Sequence, residues 1–245
     1  MNQNHSKRIR RTNYNLEKDI LAGAKKVIEE HGFLKATLTS LSEASKTEPP
    51  IIYRWFKDLN GVFDKFTDGY KDWFVDVLDD SLDKKDPNTK NYFKRVFRTL
   101  IKGLYKDKSM LQILLWELSE KNTTTDRTLR SRESSYFNYL LAEHLYPLKN
   151  THINIEVIFA LLFGGIYYLC LIKDKGEFWG IDFNTRIGKR KLLETTDLIC
   201  DWIFTQPEYD SRIMEIARKL KNSGVSNEII AQSTSLTKEE IESIL

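Results

Sequence analysis

Pro49 and Pro50 stand side by side in TEPPIIYRWFKDL, residues 47–59. A residue that precedes proline is pushed out of the α region, so Glu48 and Pro49 are expected to be extended and a helix to begin at about Pro50. Proline suits a first helical turn, where the N–H it lacks has no intrahelical partner. The pair therefore fixes where a helix starts and leaves that start apolar, with few free donors. Ile52 and Phe56, one turn apart, are core positions, and the side chains between them point outward.

Upstream, Leu16, Ile20, Leu21, Ala24, Val27 and Ile28 recur at helical spacing, and Gly32 after His31 is a natural stop. Thr37 or Thr39 can cap a short second helix that turns Leu38, Leu41 and Ala44 inward. Two short helices joined through Ser45-Lys46-Thr47 form a helix-turn-helix, whose second helix reads the major groove of double-stranded DNA with its N-terminal residues. On this reading Pro49, Pro50 and Ile51 face base edges, where apolar groups touch thymine methyls. Tyr53, Arg54, Trp55 and Lys57 meet phosphates, and Thr37 and Thr39 join them from the preceding helix. The alternative is a short core helix with an aromatic knob.

Charge supports the first reading. The chain is nearly neutral at +3, yet Lys7, Arg8, Arg10 and Arg11 crowd ahead of the first helix. Such an arm adds phosphate or minor-groove contacts to many DNA-binding modules, although a solvated tail has the same composition.

Gly32, Thr37, Leu41, Ala44, Ile52, Tyr53 and Phe56 stand in register with the pattern of the TetR family of transcriptional regulators, which the chain resembles over about residues 15–65. The departures are Ser42 for a usual alanine, Lys46-Thr47-Glu48 for a usual Gly-Val-Ser turn, and Leu59 for a phosphate-binding lysine. They imply an unusual operator or weakened DNA binding. The resemblance implies a small DNA-binding head on a larger helical body. The last two long body helices would pair across a homodimer axis, and the body would enclose a pocket for a small apolar or aromatic effector.

The rest of the chain fits that plan. Helices are expected at about 60–82, 89–106, 108–120, 126–146, 153–174 and 185–205, with no alternating strand pattern, so the fold class is all-α. The organisation is a basic arm at 1–13, a helix-turn-helix head at 14–60, a ligand-binding and dimerisation body at 61–206 and a helical appendage at 207–245. Segment 153–174 is apolar on nearly all faces, and Gly164-Gly165 permits close helix approach. Segment 185–205 sets Ile187, Leu192, Thr196, Ile199, Trp202 and Ile203 on one stripe. Phe163, Leu169, Ile199, Trp202 and Ile203 are the candidate dimer contacts, with burial inside one chain as the alternative. Trp73, Phe97, Trp116, Glu117, Phe137, Phe163 and Tyr167 are candidates for the effector pocket, although aromatics at helical spacing are usually packing.

Other classes fit poorly. The run 157–172 falls short of a membrane span and is taken as buried in protein. Two cysteines, Cys170 and Cys200, in apolar segments suit a reducing cytoplasm, and the polar N-terminus is unlike a signal peptide. Four scattered histidines give no zinc spacing, and no phosphate-cradling loop or Gly-x-Ser-x-Gly occurs. Neither enzyme chemistry, metal nor cofactor is expected.

From Pro207 the tail reads as three short helices, with Gly224, a Ser226 cap and a Thr237/Glu240 capping box. It too is laid out as a helix-turn-helix. Glu239, Glu240 and Glu242 crowd its would-be reading helix, so the expected role is packing or docking of a protein partner. Control through such a partner, in place of a small ligand, is the rival function.

Overall fold

The computed structural model describes residues 13–79, 89–136 and 154–244. Arm residues Lys7, Arg8, Arg10 and Arg11 and the candidate Phe137 lie outside the described residues. Within them the chain is helical, and the one extended pairing is an isolated bridge between Phe178 and Ile181.

Four helices build the head: α1 (Asn13–His31), α2 (Leu38–Ser45), α3 (Pro49–Phe56) and α4 (Leu59–Asp68). Gly32 at φ 77° ends α1. Thr37, not Thr39, caps α2: its hydroxyl accepts the Ser40 N–H at 3.1 Å while the Ser40 hydroxyl accepts the Thr37 N–H at 3.0 Å. Ile20, Ala24, Ile28, Leu41 and Ile52 fill the space between the first three helices. Position 23 must be glycine, because a Cβ there would sit 2.7 Å from the Ser45 backbone nitrogen where α1 crosses α2. Asp58 caps α4 through the Gly61 N–H at 2.8 Å, and α4 adds Val62, Phe63 and Phe66 to the same core.

The body holds α5 (Trp73–Asp79), α6 (Thr89–Lys106), α7 (Lys108–Ser119), α8 (Thr123–Tyr136), α9 (Ile155–Ile172) and α10 (Arg186–Asn222). The expected helix 60–82 is two, because the chain turns at Gly69–Asp72, where the Tyr70 ring folds back to 5.3 Å from Phe66. Helix α8 starts earlier than expected, since the Asn122 carboxamide oxygen accepts the N–H groups of Thr124 and Thr125. The amphipathic α6 is the central rod. Phe93, Val96, Phe97, Leu100, Ile101 and Leu104 are fully buried on it, each worth roughly 1.5–3 kcal/mol of transfer free energy. Helix α10 lies antiparallel to α6, joined by the Arg98–Asp197 ion pair and by Lys94 with Asp201 at 2.6 Å. The Tyr105 hydroxyl also donates to the Phe183 carbonyl at 2.6 Å.

The expected break at Pro207 does not occur. Helix α10 runs unbroken for 37 residues, and the first of the three expected tail helices is its far end. Proline deletes the bond that residue 207 would give to the Ile203 carbonyl, one rung of the ladder, while the rungs on either side carry the helix through. Past Gly224 (φ 80°) come α11 (Asn227–Thr234) and α12 (Lys238–Glu242), with the Ser226 cap and the Thr237/Glu240 box in place. Ala217, Ile230, Ile241 and Ile244 form a separate small core there.

Candidate nucleic-acid interface

The outward face of α3 follows from how the helix is anchored. Ile52 is fully buried, which sets the rotation of α3 and leaves Pro49, Pro50, Tyr53, Arg54 and Lys57 exposed, with Ile51 and Trp55 half-buried. The helix begins at Pro49, one residue earlier than expected, because Glu48 takes the extended N-cap conformation and its carbonyl already accepts the Ile51 N–H at 2.9 Å. With prolines in the first two helical positions, the tip offers no N–H of its own there. It can read methyls and shape, not acceptor patterns.

Two exposed lysines bracket this helix, both at positive φ: Lys46 at 53° and Lys57 at 66°. Glycine adopts such backbone freely, whereas a side chain there is disfavoured by about 1 kcal/mol or more. Strain of this kind held at both ends of a presented helix points to function. The turn is braced to hold it, since the Ser42 hydroxyl donates to the Thr47 carbonyl at 2.8 Å and the Thr47 side chain is buried. Ser42, a departure from the family pattern in the sequence, thus stiffens the turn that carries Lys46. Thr37 spends its hydroxyl on the cap, and Thr39 is exposed beside it.

Head and body share a core. Ile113 and Trp116 of α7 lie in the head cluster, and the Trp116 ring stacks on Phe33. Ser109 donates to Glu29 at 2.6 Å, and Arg127 of α8 holds Asp64 at 3.0 Å.

The effector candidates separate accordingly. Trp116 does not line the body. Its ring fills the head side of α7 and its indole N–H is taken by Glu120 at 2.7 Å. Phe97 is sealed in the main core, and Phe163 packs against it, 5.2 Å between rings. A cavity of about 20 Å³, room for one water, lies among Thr67, Tyr70, Trp73, Phe74, Met110 and Arg132. Trp73 is thus a wall. Glu117 forms a buried ion pair with Arg132, whose guanidinium lies 6.0 Å from the Tyr167 ring centre. Burial pushes the Tyr167 hydroxyl upward from its ordinary range.

The candidate dimer contacts also divide. Ile203 is fully buried inside the chain, and Phe163, Leu169 and Ile199 pack half-buried against the main core. Trp202 is exposed, as are Leu198 one turn before it, Ile187 near the start of α10, and Val157, Leu161 and Tyr168 on α9. The single expected stripe was two. At about 100° per residue, Leu192, Thr196 and Ile203 fall on the side away from Ile187 and Trp202. Apolar α9 is not buried all round as expected. Ile155, Phe159, Ile166 and Cys170 are covered, while the face with Gly164 and Gly165 is open, with nothing within 4 Å of a Cβ at either. By length and composition this helix could also cross a membrane.

The tail repeats the head position by position. Helices α2 and α11 are each eight residues long, followed by one left-handed residue (Lys46, Ser235) and an N-cap two further on (Glu48, Thr237). Leu41 matches buried Ile230, Ser45 matches buried Thr234, and Ile52 matches buried Ile241. The surface is not repeated. Lys238, Glu239, Glu240 and Glu242 stand where the head has Pro49, Pro50, Ile51 and Tyr53.

No family model and no curated protein matches the chain. Solved structures match its fold. The fatty acid degradation regulator FadR of Bacillus halodurans superposes with a TM-score of 0.58 at 17% identity, over 78% of this chain and 96% of its own. A Rhodococcus protein described as a TetR-family transcriptional regulator gives 0.58 at 12%, over 76% and 99%. FadR of Bacillus subtilis in complex with stearoyl-CoA gives 0.55 at 15%, over 76% and 96%. The fold is that of TetR-family regulators.

Proposed function

We propose that this chain is a cytoplasmic, homodimeric, sequence-specific DNA-binding transcriptional regulator, acting as a repressor that a small molecule releases. The observation that carries this is α3 itself: an apolar, donor-poor tip followed by exposed Tyr53 and Arg54 and bracketed by two lysines at positive φ. Glycine would suit the backbone better, and phosphate contact accounts for the choice.

Two copies are needed because the open faces of α9 and α10 expose Leu161, Leu198 and Trp202, which a second chain would cover. A two-fold axis there sets two α3 helices about one turn of DNA apart. The effector would be apolar or aromatic and enter beside Trp73, where the present cavity is too small for it. Stearoyl-CoA is bound by one structural neighbour. Opening that cavity parts α4 from α8, and α4 belongs to the head core, so ligand and operator would compete through the spacing of the heads.

The test is selection of full-length protein against random duplex DNA. The expected product is an inverted repeat with half-site centres about 10 base pairs, or one turn, apart. Failure to enrich any sequence over non-specific binding would overturn the proposal.

A further inference from the structure

We propose that Lys102, Lys106 and Lys189, at the head end of the seam between α6 and α10, bind the phosphate groups of a small molecule that carries two or more of them. Trp73 approaches α6 at Gly103, about 100° round from Lys102, so the site is separate from the cavity beside Trp73 and does not depend on an effector there.

The register of the seam comes first. Lys94 meets Asp201 and Arg98 meets Asp197, so four residues forward on α6 match four residues back on α10. Carried on for two more such steps, the same register sets Lys106 opposite Lys189, with Lys102 one turn before Lys106. A ladder that elsewhere joins cation to aspartate here faces cation with cation. Among the described residues no ion pair reaches any of these three lysines. The acids nearby are engaged: Glu194 with Arg190 at 3.7 Å, Asp174 with Lys173 at 2.6 Å, and Asp182 with the Asn184 N–H at 2.9 Å.

The cations are held in place without being neutralised. The Lys189 ammonium lies 4.3 Å from the centre of the Tyr105 ring, and the Tyr105 hydroxyl is fixed on the Phe183 carbonyl at 2.6 Å. Burial, and then the charges of Lys106 and Lys102, hold that ammonium below the usual lysine range. The Cys170 thiol beside it is pushed by burial up to about 12, so it brings no negative charge at neutral pH. Helix α10 opens Arg186-Ile187-Gly188-Lys189-Arg190-Lys191 with no acid in its first turn, although the start of a helix favours anions over cations. A ligand with several negative charges removes both conflicts at once, and lysines take phosphate as point charges. This region joins the head through α7 and α1, whereas α3 packs on α2 and α4, so the source argued for is a free molecule and not the duplex on α3.

Titration of the full chain with tripolyphosphate at constant ionic strength tests it, by calorimetry and thermal melting. The wild type should bind one per chain and melt higher when it does. Lys189→Glu completes the ladder, so it should fold with unchanged helix content and bind about tenfold more weakly or worse. Lys102→Ala combined with Lys106→Ala, at two exposed positions, should do the same. Lys191→Glu, the same change of charge about 200° round α10, should bind as the wild type does. Equal binding by the wild type and Lys189→Glu, or none by the wild type, overturns the site. Loss of duplex affinity in Lys189→Glu with no response to tripolyphosphate would make DNA the source of the phosphates and overturn the free ligand. A chain that takes tripolyphosphate through these lysines but binds no duplex supports the site and overturns the function proposed above.

Discussion

The rings of Phe33 and Trp116 lie parallel, 4.2 Å between centres and 6° between planes, one from the loop after α1 and the other from α7. Phe63 of α4 closes on the same indole edge-on at 5.7 Å. The head is therefore not a bead on a string. A displacement of α7 is felt by α4, which packs directly against α3, and by the loop that follows α1.

Trp116→Ala should accordingly destabilise the protein by about 3–5 kcal/mol, as large aromatic truncations in cores do. Phe33→Ala and Trp116→Ala together should lose less than the sum of the two, by about 0.5–1.5 kcal/mol. Urea unfolding of the four species measures this. Additive losses would mean that the stack couples nothing.

Replacing Lys46 or Lys57 by glycine should pull stability and binding in opposite directions. Each change relieves positive-φ strain, so stability should rise by up to about 1 kcal/mol. Each also removes a cation, so the dependence of operator affinity on salt should fall by about one unit per half-site, and Arg54→Ala should lower it by a similar amount. Thermal melts and gel shifts across a salt series report the two effects. If the salt slope is unmoved, neither lysine touches phosphate.

Specificity should reside at the tip. Ile51→Ala should relax preference at one thymine per half-site and leave non-specific affinity nearly unchanged. Pro50→Ala should leave the fold intact and lower stability by about 1 kcal/mol or less. Identical preferred sites for wild type and Ile51→Ala in a binding selection would remove Ile51 from the readers.

The two faces of α10 should respond differently to substitution. Leu198→Asp or Trp202→Asp should give folded monomers that lose operator binding. Ile203→Ala, on the buried side, should lower stability by about 2–5 kcal/mol without singling out the dimer. Sedimentation with parallel melting curves separates these outcomes, and a Leu198→Asp dimer of normal affinity would place the axis elsewhere.

What could be read ahead of the structure was whatever is decided locally. The end of α1 at Gly32, a threonine cap on α2 (at Thr37, of Thr37 and Thr39), the extended Glu48, though not Pro49, and both caps in the tail rest on residues within one turn of each other. The all-α class followed from periodicity in the same way. Choices made over long range were hidden. Periodicity marked Trp116 as apolar and helical, but its partner Phe33 lies far back along the chain, in another layer. The sides of α10 were merged because a hydrophobic pattern cannot say which stripe meets the main core and which meets solvent. Proline usually stops a helix, and at Pro207 the two well-anchored ends of α10 override that local preference. The bracketing of α3 by Lys57 had a weak signal: an exposed cation directly after Phe56 with Asp58 next in line to cap.

The separate core of the tail bears on how the molecule comes into being. Its contacts join residues 214–244 alone, whereas the main core is closed by pairs such as Lys94 with Asp201, 107 residues apart. Short loops close sooner than long ones, and folding speed falls as contacting residues grow more distant along the chain. In a refolding experiment the tail should gain protection from hydrogen exchange while the body is still assembling. Chains would then carry a finished C-terminal unit while the core that supports the head is still being assembled.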